Sequence, residues 1–255
     1  MNYNEKISDL CIIFHFHRSE STMKKKTAIT VFSIVISLCI IFSAVTAVRA
    51  KKIKSLEPGA ESTAYFADKS VHQLVKDLNY FKDFDNVNGE LVFTLNDKIS
   101  ADDAEYCSKV MKSPLYSDFA KIALLDVCRE KEIKLDKTVM SKLITKKSLD
   151  SDLRSYIIGY CAYQDKDYCD ELIKIASDKN DDLSYYALNQ LSFVDKSQAQ
   201  TIAKEIISEY DGTYSDRMKN AMMIESERLE ESGDKEAVSE FNIFSSKITE
   251  GQKNN

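Results

Sequence analysis

Residues 150–191 have the sequence DSDLRSYIIGYCAYQDKDYCDELIKIASDKNDDLSYYALNQL, and this stretch decides the fold. It contains two copies of one pattern, in which a start of acidic or hydroxyl residues is followed by a short apolar helix. The same start occurs four times in the C-terminal half, at Ser117-Asp118, Ser151-Asp152, Asp181-Asp182 and Ser215-Asp216. The steps are 34, 30 and 34 residues. A period of this length is typical of stacked helix pairs.

Helical periodicity predicts two series of helices after Pro114. The first helices of the pairs are predicted at approximately 116–130, 151–163, 182–193 and 215–231. The second helices are predicted at approximately 136–147, 167–178, 196–209 and 234–248. Because the connections are only a few residues long, neighbouring helices are expected to run antiparallel. With only six Gly and two Pro, the sequence predicts an all-α fold: an α-solenoid of antiparallel helix hairpins over 113–250, followed by a tail at 251–255.

Equivalent apolar positions of the first helices are expected to form the core. One position is generally small, which lets a neighbouring helix approach closely. The residues at this position and at the next one are Ala123, Ile157, Ala187, Ala221 and Leu124, Ile158, Leu188, Met222.

These units resemble HEAT-type repeats of the short, PBS-lyase-like kind. In that family a D-x-x-L/V-R start precedes an Ala/Leu-rich helix, a Gly and a second helix, and Asp152-Leu153-Arg154 and Gly159 match this pattern. Three other units have different residues at the Arg position: Ala120, Ser184 and Met218. The resemblance implies an HEAT-like α-solenoid that binds proteins, but the fold alone does not identify the partner.

An uncharged apolar run precedes the repeats. Residues 27–48 contain no charge, Gly or Pro, and a helix of this length can cross a hydrocarbon core of about 30 Å. Residues 23–50 are therefore predicted to be a signal-anchor or transmembrane helix, or else a cleavable signal. Val45-Thr46-Ala47 and Val48-Arg49-Ala50 both fit a small-residue cleavage pattern, whereas the length of the run favours a retained anchor.

The N-terminal tail and the topology leave alternatives open. Residues 1–22 are interpreted as a short tail or as an artefact of start-site choice, because Met23 followed by three lysines is how many export signals begin. Basic residues flank the apolar run on both sides, so their bias gives no orientation. Because long domains translocate largely regardless of charge, we expect a single-pass membrane protein with an extracytoplasmic C-terminal domain, secreted if the leader is cleaved. The alternative topology leaves that domain in the cytosol.

Two further segments separate the leader from the repeats. Residues 51–63 are predicted to be a linker, and 64–112 are predicted to form N-terminal helices with a turn at 83–89. The residues that follow this turn, ELVFTLN at 90–96, fit a strand, an extended connector or a helix. The turn does not match a calcium loop, because no register aligns both the ligands and the glycine.

The charge of the chain is strongly asymmetric. Residues 1–54 contain nine Lys/Arg and three Asp/Glu, a net charge of +6. The remaining 201 residues contain 26 Lys/Arg and 38 Asp/Glu, a net charge of -12. Because an acidic body repels phosphate backbones, nucleic acid is not expected as a partner.

No catalytic, cofactor or metal site is predicted. His72 is the single histidine of the body and is interpreted as a surface or interface residue. No Cys/His spacing typical of zinc is present. The acidic residues at the helix starts are expected to cap the helices and to complement their dipoles.

The body contains four cysteines, of which one pair is a disulfide candidate. Cys161 and Cys169 flank a tight turn at 164–166, so a bond between them is geometrically plausible if the domain is exported. The alternative is two small residues that fill a helix interface. Cys107 and Cys128 are not symmetric about the turn at Pro114, and they are not expected to pair within one hairpin.

The function hypothesis follows from the repeats and the leader. Most tyrosines of the central units are expected in the core, with Tyr185 the candidate for an exposed protein-binding surface. The sequence favours a membrane-anchored or exported scaffold, not an enzyme, that binds a protein or peptide and uses no cofactor. The alternatives are a regulatory or docking module of an envelope-associated enzyme and a cytosol-facing scaffold.

Overall fold

The structure, a computed structural model, describes residues 25–82 and 86–253, and the regular elements in these ranges are all helical. The prediction of an all-α protein is confirmed for this part of the chain. The chain divides into two units, residues 1–52 and 53–255. The predictions about residues 1–22 and Met23, and about the last two residues of the tail, lie outside the described residues.

Thirteen α-helices are described. They are α1 (Lys25–Lys54), α2 (Ala60–Ala67), α3 (Val71–Leu78), α4 (Asn86–Lys98), α5 (Ala104–Lys112), α6 (Asp118–Glu130), α7 (Lys137–Ile144), α8 (Ser151–Tyr163), α9 (Cys169–Ser177), α10 (Ser184–Val194), α11 (Lys196–Ser208), α12 (Asp216–Ser232) and α13 (Lys235–Lys253). Short 3₁₀ turns precede α5 and α9, at Ala101–Asp103 and Asp165–Tyr168. The predicted first and second helices of the repeats correspond to α6 through α13.

The N-terminal helix α1 contains the apolar run. Its segment Ile34–Lys54 contains an 18-residue window with a mean hydropathy of 1.9, and by length and composition it is long and apolar enough to cross a membrane. A signal sequence near an N-terminus satisfies the same criterion. Its large exposed apolar side chains are Ile34, Val35, Ile36, Leu38, Ile40, Ile41, Val45 and Val48. The prediction of one apolar N-terminal helix is confirmed for the described residues.

Two segments predicted as connections are in large part helical. The predicted linker at 51–63 includes the end of α1 and the start of α2, which leaves only residues 55–59 between them. The predicted turn at 83–89 overlaps α4, and residues 90–96 are helical rather than extended. Leu91 and Leu95 of α4 are fully buried, and their spacing of four residues places both on one helical face. This burial outweighs the β-branched and aromatic content that left the segment ambiguous.

The core of residues 53–255 contains the two series of apolar residues that were predicted at equivalent positions of the first helices. Every member of both series is at most 5% exposed, and the four residues at the generally small position are fully buried. Burying one Leu, Ile or Met side chain contributes about 1.5–3 kcal/mol. The predicted core positions of the first helices are therefore confirmed.

Helices α6–α13, which correspond to the predicted repeats, contact one another in a regular order. The first helices α6, α8, α10 and α12 each contact the next member of that series. The second helices α7, α9 and α11 each contact the first helix that follows them. Helix α13 packs on α12 at the end of the series. Each helix pair therefore buries its apolar residues partly against its neighbours.

The repeat starts have two different roles. Ser117 and Ser215 accept hydrogen bonds from backbone amides in the first turns of α6 and α12. Asp150, one residue before the repeat start, does the same for α8. In the third predicted repeat, Leu183 is the N-cap residue of α10, and its side chain makes no capping hydrogen bond. The predicted capping by an acidic residue is therefore found at α8, whereas serines cap α6 and α12 and Asp181 mainly binds Arg154 of the preceding repeat.

A buried tyrosine fixes the connection between α6 and α7. The Tyr160 hydroxyl donates a hydrogen bond to the Ile133 carbonyl at 2.7 Å and accepts one from the Leu135 amide at 2.8 Å. Its side chain comes from α8 and is almost fully buried. Burial raises the pKa of this phenol, so the hydroxyl keeps its proton and can donate. The Tyr160 hydroxyl therefore ties α8 to this loop, in addition to the bond that the Ile133 amide donates to the Cys128 carbonyl at 2.8 Å.

Candidate functional site

Two aromatic side chains are exposed at equivalent positions of successive first helices. Tyr163 of α8 is 53% exposed and Phe193 of α10 is 81% exposed. Each lies 12 residues after the repeat start of its own unit. Because α8 and α10 contact each other along the series, the two rings belong to one surface.

Two more tyrosines extend this surface toward the helix starts. Tyr156 and Tyr186 lie seven residues, about two helical turns, before Tyr163 and Phe193. We call these four residues the aromatic face. The Tyr186 hydroxyl would lie 3.1 Å from a Cβ atom placed on Gly159. Gly159 therefore makes room on α8 for a side chain of α10.

The same position in the flanking first helices is charged. Arg129 of α6 and Glu227 of α12 again lie 12 residues after their repeat starts. Arg129 is paired with Asp126 at 3.0 Å, and Glu227 is paired with Lys196 at 2.8 Å. An apolar centre with a charged margin is the usual anatomy of a protein–protein interface.

The protonation of Tyr186 fits a surface of this kind. Burial, with smaller effects from Tyr156 and Tyr185, raises the pKa of its phenol, whereas Arg129 acts in the opposite direction. The phenol is therefore neutral at physiological pH. It offers a partner a hydroxyl group and an apolar ring rather than a charge.

Tyr185, the residue selected from the sequence, lies beside this face and is half-buried against the core. Its backbone carbonyl accepts a hydrogen bond from the side-chain Nδ2 of Asn220 at 2.9 Å. A role for Tyr185 in binding stays a prediction. Phe193 was not predicted to be a surface residue, although it lies 30 residues after Tyr163, at the equivalent position of the next first helix.

A buried ion pair lies near the other end of α8. Arg154 donates to both carboxylate oxygens of Asp181, with Nη1–Oδ1 at 2.7 Å and Nη2–Oδ2 at 2.6 Å. The two side chains are only 4% and 2% exposed. The Nε atom of Arg154 also donates to the Ile144 carbonyl at 2.8 Å. One guanidinium therefore joins the end of α7 to the loop before α10, in the bidentate geometry that makes such pairs strong.

The Asp181 carboxyl group is ionised at neutral pH. Burial alone would raise the pKa of Asp181, but the hydrogen bonds from Arg154 and from the Leu183 amide outweigh it. The charges of Arg154 and Lys147 act in the same direction as these bonds, and the pKa lies below its usual value. Because both partners are enclosed, we assign the Arg of the HEAT-like start a structural role.

The cysteines predicted as a disulfide are free thiols in the structure. Cys161 is buried within α8, and Cys169 is the half-buried first residue of α9. Burial raises the pKa of both thiols, which keeps them protonated and unreactive at neutral pH. A bond between them is not formed in the structure, and pairing under oxidising conditions stays a prediction.

The body histidine lies at the surface, in agreement with its interpretation from the sequence. The His72 ring stacks on Tyr106 with 3.7 Å between the ring centroids, and the Tyr106 hydroxyl lies 3.0 Å from that of Tyr116. Within residues 25–82 and 86–253, no group of three or more His, Cys, Asp or Glu side chains is arranged to hold a metal ion.

Comparisons with known proteins identify no relative of this chain. No family model, curated protein or solved structure matches this chain. The likeness to HEAT repeats therefore depends on the residue pattern alone.

Proposed function

We propose that this chain is a membrane-anchored or exported helical-repeat protein that binds a partner protein through its aromatic face. The observation that supports this is the exposure of Tyr163 and Phe193 at equivalent positions of two contacting helices. Exposed aromatic surface is unfavourable in water, and covering it with a partner is favourable. Aromatic side chains at the centre of an interface, surrounded by charged ones, commonly supply most of the binding energy.

The proposal includes a HEAT-like α-solenoid of antiparallel hairpins over α6–α13. The sequence of helix–helix contacts supports this arrangement. Each first helix contacts the next first helix, and the second helices α7, α9 and α11 each contact the first helix that follows. In a solenoid, equivalent positions of successive repeats lie side by side and form an extended binding surface. In that arrangement, one equivalent position, repeated at steps of 34, 30 and 34 residues, forms a row across the four first helices. The row has the aromatic residues Tyr163 and Phe193 in the middle and charged residues at its two ends.

We further propose that α1 is the anchor and that residues 53–255 lie outside the cytoplasm, or are secreted if the leader is cleaved. Leu115 is 69% exposed, so a Leu115→Cys variant offers an accessible thiol. A membrane-impermeant maleimide should label it in intact cells as fully as after lysis. Labelling that appears only after lysis would place the domain in the cytosol and contradict this topology.

Photo-crosslinking tests the binding surface directly. The full-length chain, with p-benzoylphenylalanine in place of Phe193 or Tyr163, is irradiated in the cells that produce it. Both positions are expected to give the same protein adduct. The matched control is the photoreactive residue at Leu115, which is also exposed but precedes the first turn of α6, and there no such adduct is expected.

The affinity of the crosslinked partner, once purified, provides the second measurement. Phe193→Ser should weaken Kd at least tenfold, about 1.4 kcal/mol. Leu115→Ser should change Kd less than about twofold, because isolated exposed apolar residues are common and need no function. Both variants alter exposed side chains, so both should keep the Tm of the wild type. Equal weakening by the two variants, or no adduct at 163 and 193, would overturn the proposal.

A further inference from the structure

The row across the four first helices has opposite charges at its two ends. In chain order it consists of Arg129, Tyr163, Phe193 and Glu227. The helices that carry these residues contact one another in the same order, α6 with α8, α8 with α10 and α10 with α12. In the solenoid proposed above, equivalent positions lie side by side. The surface along the row therefore changes from a cation through two aromatic rings to an anion.

A surface with this order of side chains is complementary to itself. A two-fold axis that is parallel to the first helices and lies between α8 and α10 reverses the row in a second copy. Tyr163 of one copy then faces Phe193 of the other. At both ends of the contact, Arg129 faces Glu227. A two-fold interface contains every contact between unlike residues twice, so one favourable charge pair becomes two.

The other face-to-face arrangement of two copies is unfavourable. A two-fold axis that runs along the row keeps its order in the second copy. Arg129 then faces Arg129, and Glu227 faces Glu227. Like charges set against each other across an interface are strongly unfavourable. The signs of the two end residues therefore select the reversed order.

The remaining two tyrosines of the aromatic face obey the same symmetry. Tyr156 of α8 and Tyr186 of α10 both lie five residues after their repeat starts, so reversal of the order sets one against the other. At this position the outer helices α6 and α12 have Ile122 and Asn220, which are uncharged and add no repulsion. Aromatic pairs attract each other beyond the effect of the area that they bury. Every ring of the aromatic face thus has an aromatic residue opposite.

The charged residues at the two ends can each bind a residue of another copy. Arg129 is half-exposed and contacts Asp126 at 3.0 Å, but a guanidinium has five N–H donors and can bind a second carboxylate as well. At the other end, Glu227 and Glu231 both contact Lys196. Two carboxylates against one ammonium leave an excess negative charge, which a guanidinium of the second copy balances.

The acidic residues at the starts of the first helices lie outside this contact. Each of them is 11 residues before the row, which is about 16 Å along a helix. This distance exceeds the Debye length of about 8 Å at physiological ionic strength, so their charges are screened from the row. These exposed residues are Asp118, Asp152, Asp182 and Asp216.

We propose that the partner of the aromatic face is a second copy of this chain, in a two-fold symmetric dimer that sets Arg129 of each copy against Glu227 of the other. This inference rests on the proposed function, because it names the partner of the same surface. Dimers with two-fold symmetry are the commonest oligomers of soluble proteins. The observation that supports a second copy is the reversal of charge along the row.

Exchanging the end charges tests the symmetry. The full-length chain is purified in detergent, and its dimer Kd is measured by analytical ultracentrifugation. Arg129→Glu makes both ends of the row acidic and Glu227→Arg makes both basic, so each variant alone should have a Kd weakened by roughly tenfold or more. An equimolar mixture of the two variants should associate as the wild type does, because each end contact then joins a Glu to an Arg. The variant with both changes on one chain should also dimerise.

The controls separate this result from a folding defect and from another interface. All the variants change exposed side chains, so their Tm should stay close to that of the wild type. A mixture that associates no better than the single variants would overturn the proposal. Equal association of the wild type and every variant would assign the dimer to another surface, and a monomeric wild type would exclude it; both outcomes would overturn the proposal.

Photo-crosslinking distinguishes failure of this inference from failure of the proposed function. With p-benzoylphenylalanine in place of Phe193, the adduct should have twice the mass of the chain, and its attachment site should lie on α8 near Tyr163 of the other copy. The photoreactive residue at Leu115 is the matched control and should give no such dimer. An adduct with a different protein would overturn the second copy as partner and uphold the proposed function. No adduct at position 163 or 193 would overturn both.

Discussion

Two junctions along the helix series are joined by charged side chains in opposite settings. Between α8 and α10, Arg154 and Asp181 are almost fully buried and make two parallel hydrogen bonds. Between α11 and α12, Lys196 contacts Glu227 at 2.8 Å and Glu231 at 2.6 Å with all three side chains well exposed. In the sequence both sets are ordinary opposite charges about 30 residues apart. Because desolvation decides the energy of an ion pair, removing one partner should be costly at the first junction and nearly neutral at the second.

Breaking the buried junction should have the largest effect. Arg154→Met removes the guanidinium and leaves the Asp181 carboxylate enclosed without its main partner. The free energy of unfolding in guanidinium chloride should fall by about 3–5 kcal/mol. Replacing both partners, with Arg154→Met and Asp181→Leu, should recover much of that loss because no buried charge then remains. A loss below about 1 kcal/mol for the single variant would show that the pair is solvated in solution.

The pH dependence of stability tests the same junction. The pKa of Asp181 is lower in the folded chain than in the unfolded chain, so its ionised form favours folding. This contribution is complete above the unfolded value of about 3.9 and is lost as the pH falls through the lower folded value. The difference in unfolding free energy between the wild type and Asp181→Asn should therefore be constant above pH about 4 and narrow below it. Urea unfolding at several pH values measures this, and a difference that widens in acid would have the wrong sign.

The exposed junction should respond weakly. Lys196→Ala is expected to reduce the free energy of unfolding by less than about 1 kcal/mol, since exposed pairs lose side-chain entropy and are screened. The effect should largely vanish in about 1 M salt, where the Debye length is about 3 Å. If this change destabilised the protein as much as Arg154→Met, the contrast between the two junctions would be refuted.

The smallest effect is expected at Gly159, on the aromatic side of the α8–α10 junction. Alanine gains up to about 1 kcal/mol of helix propensity over glycine, but its methyl group would meet the Tyr186 hydroxyl at 3.1 Å. Gly159→Ala should therefore be more favourable in a Tyr186→Phe background than in the wild type, by about 0.5–1 kcal/mol in a double-mutant cycle. Additive effects would mean that the two helices are farther apart at this point than the structure has them.

The parts of the fold that repeat were predictable from the sequence. The first helices and their core positions followed from a pattern seen four times, and Ala123, Ala187 and Ala221 are buried as expected. Helix α4 could not be assigned, because its composition fits a strand as well as a helix, and only the burial of Leu91 and Leu95 distinguishes the two.

The contacts between helices could not be predicted from the sequence, for a different reason. Which side chain Arg154 binds depends on how separate helices pack, and local periodicity contains no such information. Tyr163 and Phe193 show the same limit at the surface. An aromatic residue at helical spacing fits the core as well as an exposed face, and only the packed neighbours determine which it occupies.

The two hydrogen bonds of the Tyr160 hydroxyl restrict local opening of the loop between α6 and α7. The Leu135 amide proton, bound to the Tyr160 hydroxyl, can exchange for deuterium only when α8 moves away from the loop it holds. Its exchange rate therefore measures how often the α6–α8 contact opens, with a free energy below that of global unfolding if the opening is local. Because Cys128 lies in the last turn of α6, the same fluctuation should set how fast a thiol reagent reaches the core.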